Sequence, residues 1–152
     1  MHDRALSGKF RDGVHVLPVR IYYEDTDFSG VVYHANYLRF MERGRSDYLR
    51  LMGVHHHELA ASKEPVSWAV MRMEIDFLKP ARIDDALEVH TAYTKLTGAS
   101  IYAQQSIKRG DEELVRADLQ AACVTPNGRA ARIPRTVRQA ILRHIDTGSD
   151  AP

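Results

Sequence analysis

The chain has 152 residues, of which 44% are hydrophobic and 27% are charged, so enough apolar surface exists for one folded domain and global disorder is excluded. Lys and Arg residues number 21 and Asp and Glu residues 20, and this formal net charge of +1 argues against a nucleic-acid binder held by bulk charge. No apolar run approaches the roughly 20 residues that a membrane-spanning helix needs. The single cysteine, Cys123, cannot form an internal disulfide, and we therefore expect a reducing, cytoplasmic location.

The two ends of the chain are polar. Residues 1–14 and 146–152 are predicted to be flexible, and residues 15–145 are predicted to form one domain. No internal repeat or low-complexity segment interrupts the central region, so we expect neither a linker nor a second domain.

The first predicted elements are a strand and a long helix. Residues 16–24 are rich in Val, Ile and Tyr at alternate positions, which predicts a strand, and residues 27–30 (Asp-Phe-Ser-Gly) have turn chemistry. Residues 35–52 are predicted to be helical, because an apolar stripe recurs at steps of four and three. Gly44 lies in that stripe and should permit close approach to a sheet, whereas Gly53 should end the helix. The opposite, solvated face is predicted to carry Arg39, Glu42, Arg43, Asp47 and Arg50.

Four further strands are predicted within residues 67–123. In residues 67–77 the period-two pattern puts one apolar set on a single face: Ala69, Met71, Met73, Ile75 and Phe77. Residues 86–96, 100–108 and 115–123 follow, separated by short turns that favour antiparallel hairpins. A short strand over residues 130–133 and a helix over residues 135–144 complete the order. Strands that run together rather than alternating with helices indicate an α+β fold with an antiparallel sheet of five or six strands.

Residues 22–37, Tyr-Tyr-Glu-Asp-Thr-Asp-Phe-Ser-Gly-Val-Val-Tyr-His-Ala-Asn-Tyr, carry the clearest chemical signal. They place carboxylates, a phenol and an imidazole between the end of a strand and the start of a helix. A helix N-terminus offers free N–H groups and a partial positive charge, which suit an oxyanion or a polarised carbonyl. Taken singly, Asp27 is better explained as a turn residue, His34 as a helix-start residue and Tyr23 as a half-buried strand residue.

The stretch YYEDTDFSGVVYHANYLRFMERGR, together with the later DFLKPARIDDALEV, resembles the YbgC-type acyl-CoA thioesterases. These belong to the 4-hydroxybenzoyl-CoA thioesterase group of hotdog-fold proteins. The resemblance implies a long helix wrapped by an antiparallel sheet, hydrolysis of a CoA thioester, and a homodimer or homotetramer with sites at the subunit interface. It implies no metal and no cofactor, since coenzyme A is part of the substrate.

The catalytic pattern of that family maps onto Tyr23, Asp27 and His34. The resemblance implies that Asp27 attacks the thioester carbonyl or activates a water, that His34 orients the water or stabilises charge, and that Tyr23 positions the carboxylate. Backbone N–H groups at the helix start would then polarise the carbonyl. Polyanionic CoA asks for a few cations at the mouth of a cleft, and four candidates are Lys79, Arg82, Arg132 and Arg135.

Two other readings stay open. One is a hotdog dehydratase or hydratase, which would place its acidic residue along the helix, where Glu42 and Asp47 occur. The other is a cytoplasmic acyl-CoA or acyl-carrier binding partner, since the resembled subfamily is associated with the Tol-Pal envelope system. If the chain is such a binding protein, we expect its partners to be acyl carrier protein or enzymes of phospholipid synthesis at the inner membrane. Neither a metal site at His55, His56 and His57 nor a serine nucleophile at Ser29 is favoured, because the accompanying ligands and the strained elbow motif are missing from the sequence.

Overall fold

A computed structural model of the chain describes the backbone of residues 6–149 and the side chains of residues 6–145. All strands pair antiparallel in one six-stranded sheet, whose order is β1-β2-β4-β5-β6-β3. The elements are β1 (Lys9–Arg11), β2 (Val14–Arg20), a 3-10 turn (Tyr23–Asp25), α1 (His34–Leu51), α2 (His56–Ala61), β3 (Ser67–Phe77), β4 (Ala86–Leu96), β5 (Ser100–Arg109), β6 (Glu112–Val124) and α3 (Arg135–Ser149).

The predicted α+β architecture, with one long helix and a single antiparallel sheet, is confirmed. Helices α1 and α3 pack on the same face of the sheet, and their buried side chains meet those of β4, β5 and β6 in a shared hydrophobic cluster. Gly44 lies at the contact between α1 and the sheet. A Cβ atom there would stand 2.9 Å from both Thr91 Oγ1 and Val89 Cγ1, so the predicted close approach of the helix is confirmed.

The ends of the chain are more ordered than the sequence predicts. Residues 9–11, inside the segment predicted to be flexible, form β1 and pair with residues 14–16 of β2. Helix α3 continues through residue 149, beyond the predicted end at residue 144. Residues 1–5 and 150–152 of the two predicted flexible ends lie outside the described residues. The predicted strand over residues 130–133 is wrong, since only an isolated bridge forms there, between Ala130 and Val124.

The first predicted strand ends four residues early, at Arg20. Beyond Arg20, local hydrogen bonds replace pairing with a neighbouring strand. The Asp25 carboxylate accepts from the Tyr22 N–H at 2.8 Å, and the Asp25 N–H donates to the Tyr22 carbonyl at 3.0 Å. Acidic side chains that bond their own backbone compete with a strand ladder in this way. The resulting 3-10 turn redirects the chain away from the sheet and into the loop that precedes α1.

A β-bulge in β3 overturns the predicted face of two residues. The register slips between Val70 and Arg72, so Met71 is unpaired and the alternation reverses on either side of it. Val70 therefore pairs opposite Ala121 and shares the helix-side face with Met73, whereas Ala69 does not. Met71 is exposed rather than a member of the buried set.

The prediction that Asp47 lies on a solvated helix face is also wrong. Asp47 is only 9% exposed, and its Oδ2 accepts hydrogen bonds from the Gly8 N–H and lies 2.7 Å from His15 Nε2. The reason is the N-terminal hairpin of β1 and β2, which covers this side of α1. Among the described residues, no helix combines the length and apolar character needed to cross a membrane.

Candidate active site

The loop between β2 and α1 is a tight hairpin that presents Asp27. The Asp27 N–H donates to the Val31 carbonyl at 2.9 Å, and the Gly30 N–H donates to the Asp27 carbonyl at 3.0 Å. Gly30 closes this turn with φ of +83°, a conformation that favours glycine. The neighbouring bridge between Thr26 and Val32 fixes both arms of the hairpin, so the Asp27 side chain stands at its tip.

The Asp27 carboxylate is held by the residue two positions on. Its Oδ1 accepts from the Ser29 N–H at 2.8 Å and from the Ser29 hydroxyl at 2.5 Å. These two bonds favour the charged form and lower the pKa of Asp27, and the His34 imidazole lowers it further by a weaker electrostatic attraction. The result is a carboxylate that is ionised, oriented and open to solvent in the single protomer.

His34 is the first residue of α1 and is exposed. Its ring lies 4.7 Å from the Tyr33 ring and 5.9 Å from the Phe77 ring, centroid to centroid. Tyr33 occupies the N-cap position without a side-chain cap, and the first N–H groups of a helix have no intrahelical acceptor. The helix start beside His34 can therefore donate hydrogen bonds to an oxyanion.

Among the described residues of the single protomer, no hydrogen bond joins the Tyr23 phenol to Asp27. The Tyr23 side chain is 83% exposed in the protomer, and the contacts at this residue are made by its carbonyl, which accepts from the Thr26 N–H and hydroxyl. Tyr23 begins the 3-10 turn, in which no residue is buried. Asp27 and His34 therefore interact electrostatically, whereas the Tyr23 phenol is exposed to solvent in the single protomer.

A shallow cavity of about 260 Å³ opens beside the helix start. Side chains of α1 and of the end of β3 form its apolar wall, and Lys79 contributes a positive charge to its lining. The lining residues are Val32, His34, Tyr37, Phe77, Leu78, Lys79 and Pro80. The arrangement places an apolar surface with one positive charge next to the imidazole of His34.

The four predicted CoA-binding cations divide between two ends of the sheet. Lys79 lines the cavity and forms an ion pair with Glu112 at 2.9 Å. The backbone of Arg82 forms an isolated β-bridge with Val31 of the hairpin. Arg132 and Arg135 instead flank Ile133, whose N–H donates to Gly98 in the turn between β4 and β5. The eleven residues of β3 separate these ends by roughly 33 Å, so one protomer does not bring all four together.

A second, more enclosed cavity of about 150 Å³ lies between α1 and the β3–β6 half of the sheet. A polar network borders it: the Ser46 hydroxyl donates to Glu42 at 2.6 Å and lies 3.0 Å from His56 Nε2. The i,i+4 spacing of Glu42 and Ser46 signals a shared helix face, but the approach of His56 from α2 has no local sequence signal. Its apolar lining is Leu49, Trp68, Val70, Tyr93, Ile101, Leu119 and Ala121.

Within the part of the chain that the structure describes, no group of three or more His, Cys, Asp or Glu side chains is arranged to hold a metal ion. His55 and His57 lie with ring centroids 5.9 Å apart, while His56 turns toward Ser46. His56 therefore faces a different neighbour from His55 and His57.

Comparison with known proteins gives concordant results. The model of the thioesterase superfamily matches residues 29–116. An acyl-CoA thioester hydrolase, YbgC of Escherichia coli O6:H1, is 43% identical over 112 residues, which cover 72% of this chain and 81% of the relative. The acyl-CoA thioesterase YbgC of Haemophilus influenzae is 41% identical over 70% of this chain and 78% of its own length.

Solved structures agree with this assignment. A probable thioesterase from Bartonella henselae is 42% identical, with a TM-score of 0.78 over 80% of this chain and 99% of that one. A mutant 4-hydroxybenzoyl CoA thioesterase complexed with 4-hydroxybenzoyl CoA has a TM-score of 0.78 at 20% identity, over 84% of this chain and 98% of that one, and shows the shared fold.

The chain therefore has the hotdog fold and belongs to the thioesterase superfamily. It is a hydrolase, and the resemblance to the YbgC-type thioesterases is confirmed.

Proposed function

We propose that this chain hydrolyses acyl-CoA thioesters to a carboxylic acid and free CoA. One observation carries the proposal: Ser29 holds an ionised Asp27 carboxylate beside His34, at the uncapped start of α1. A nucleophile or base next to free helix N–H groups is the arrangement that acyl transfer requires. The names of the YbgC relatives, which are acyl-CoA thioesterases, support the substrate class.

Two routes use these groups. In the first, Asp27 attacks the thioester carbonyl, the C–S bond breaks, CoA leaves as a thiolate that takes up a proton, and water then hydrolyses the resulting anhydride. In the second, Asp27 accepts a proton from a water that attacks the same carbon, the C–S bond then breaks, and the leaving CoA thiolate takes up that proton. In both routes the carbonyl oxygen becomes an oxyanion, which the N–H groups at the start of α1 stabilise, and His34 orients the water or offsets the charge.

We propose that a second copy of the chain completes the site. β3 is an edge strand of eleven residues, and three of its apolar side chains are exposed: Val70 by 52%, Met71 by 62% and Phe77 by 49%. A long apolar edge is a ready template for another strand. Self-pairing about a two-fold axis is antiparallel, so the Phe77 end of one strand faces the Ser67 end of its copy.

That pairing would give the enclosed cavity a role in the partner's reaction. Within one protomer, Ser46 at the cavity lies about 18 Å along α1 from His34, which is too far for a bound thioester to reach easily. Antiparallel pairing moves the cavity of one copy toward Asp27 of the other. A volume of about 150 Å³ matches the size of cavity that holds a benzene ring, so we propose an acyl group of ring size or a short chain.

The resemblance also motivates finer proposals. We propose a homodimer or homotetramer, a cytoplasmic location, and no cofactor beyond the CoA carried by the substrate. Acyl carrier protein, enzymes of phospholipid synthesis and a link to the Tol-Pal system stay predictions. Lys79 and Arg82 of one copy, with Arg132 and Arg135 of another, are proposed to bind the CoA phosphates, and Tyr23 is proposed to meet Asp27 only in the assembled protein.

The experiment is an assay of CoA release with short, long and aromatic acyl-CoAs at equal concentration. We expect turnover, fastest with short or single-ring acyl groups, because the cavity accepts that volume. Binding of acyl-CoA without release of CoA across the whole series would contradict the proposal and favour the binding-partner reading.

A further inference from the structure

The hairpin that carries Asp27 is not braced by α1 and β2 alone. Residues 78–85, between β3 and β4, lie against it and are called the brace loop below. The Val32 N–H donates to the Ala81 carbonyl at 2.9 Å, and Val31 forms a bridge with Arg82. The position of the hairpin therefore depends on the position of the brace loop.

The brace loop is itself tied down by a buried phenol. The Ala81 N–H donates to the Tyr37 hydroxyl at 3.0 Å, and Ala81 and Tyr37 are 0% and 3% exposed. Because Ala81 bonds Tyr37 through its N–H and Val32 through its carbonyl, one residue connects the first turn of α1 to the hairpin. The brace loop thus sets the spacing between the helix start and Asp27.

An ion cluster fixes the far end of the brace loop. Asp85 Oδ2 accepts from the Arg82 N–H at 2.9 Å and from Arg109 Nη1 at 2.8 Å. The same Arg109 reaches the Pro80 carbonyl at 3.3 Å and Glu112 at 3.2 Å. Arg109 ends β5 and its side chain is 33% exposed, so it links the loop to the sheet at two points, Asp85 and Pro80, while Glu112 of β6 holds its second terminal nitrogen.

We infer that Asp85 and Arg109 are positioning residues for the reaction, acting on Asp27 and His34 through the brace loop. This inference rests on the proposed function. Neither side chain touches Asp27 or His34. Both hold the brace-loop backbone that fixes the geometry of those two reacting groups. Misplacement of reacting groups by about 1 Å can cost on the order of 100-fold in rate.

The first test is steady-state kinetics of Asp85→Asn, Arg109→Gln and Arg109→Lys. We expect kcat to fall about 10- to 100-fold in the first two variants and KM to rise by a smaller factor, because the long side chains of Lys79 and Arg82 tolerate a shift of the brace loop better than the alignment of Asp27 does. Arg109→Lys keeps a cation near Asp85 and should recover part of kcat. The matched control is Arg116→Gln, which removes an exposed ion pair with Asp76 and should leave kcat unchanged.

The second test does not need catalysis. Amide hydrogen exchange of Val32 reports the bond to Ala81, and we expect it to accelerate at least about tenfold in Asp85→Asn, while Leu119, in the centre of β6, keeps its rate. Unchanged exchange at Val32, or unchanged kcat in both breaking variants, would overturn the inference. If the parent protein releases no CoA but Val32 exchange responds, the proposed function fails while the mechanical role of the pair is upheld.

Discussion

The Asp47 carboxylate lies 2.7 Å from the His15 imidazole in the interior, joining α1 to β2. Asp47 also accepts from the Gly8 N–H at 2.7 Å, so one carboxylate secures the N-terminal hairpin to the helix. His15 is fully buried, and the rings of Phe10 and Tyr48 stand 5.5 and 5.9 Å from it. A buried polar pair of this kind makes the helix position sensitive to loss of either partner.

We predict that Asp47→Ala lowers the free energy of unfolding by about 2–4 kcal/mol. The substitution removes the carboxylate that bonds the buried His15 imidazole and the Gly8 N–H, so both groups lose their hydrogen-bond partner. Denaturant titration measures the change. Asp76→Ala, which removes an exposed ion pair with Arg116, should change the value by less than about 0.5 kcal/mol, and equal effects of the two substitutions would contradict the prediction.

The same pair predicts a pH dependence of stability. Burial lowers the pKa of His15 below its ordinary value of 6.5, and outweighs the hydrogen bond and charge of Asp47, which raise it. Because the unfolded chain then binds more protons than the folded one, stability is full above about pH 6.5 and falls as pH drops toward the lowered pKa. His144, whose pKa burial also lowers, adds a change of the same sign.

We therefore expect Tm to fall between pH 7.5 and pH 5.5, and to fall less steeply in His15→Gln. Glutamine retains an amide donor for Asp47 and cannot take up a proton in this range. Scanning calorimetry of both proteins across the range provides the comparison. Parallel pH profiles would show that His15 is not the responsible group.

Gly44→Ala should destabilise the protein by up to about 2 kcal/mol, although alanine is the better helix former. The new methyl group would stand 2.9 Å from Thr91 and Val89, and the overpacking cost of about 1–3 kcal/mol is opposed by only about 1 kcal/mol gained in helix propensity. Gly98→Ala is the control, since nothing lies within 4 Å of its Cβ position. Higher stability in Gly44→Ala would contradict the close packing of α1.

The elements that sequence predicts well are those with long, regular periodicity. The sequence predicts helix α1 over residues 35–52 and the structure has it at His34–Leu51, and β4 matches its predicted bounds at Ala86–Leu96. Their patterns are repeated over many residues, so one exception does not mask them. The thioesterase resemblance rests on a comparably long run, residues 22–37 with their flanks.

The failures come from contacts that periodicity does not encode. The bulge at Met71 inserts one residue into an otherwise regular alternation, and only the partner strand reveals it. Asp47 is buried because His15, 32 residues away, supplies the matching group. The bonds of the brace loop to Val32 and Tyr37 likewise have no local sequence signal, since they join distant parts of the chain.

Lys79→Glu and Arg82→Gln are each predicted to raise KM for acyl-CoA about three- to tenfold with little change in kcat. Both cations lie at the end of the sheet that carries Asp27, and loss of a charge-assisted contact to phosphate weakens ground and transition states alike. Arg116→Gln serves as the matched control. An unchanged KM in either variant would remove that residue from the proposed CoA site.

The most direct measurement is the rate of CoA release by Asp27→Asn. Asparagine keeps the shape of the side chain and removes the charge that Ser29 holds beside His34. We expect a loss of at least about 100-fold in kcat with the fold and acyl-CoA binding retained, whereas Asp111→Asn, in the turn before β6, keeps the parent rate. Turnover by Asp27→Asn close to that of the parent would contradict a catalytic role for Asp27.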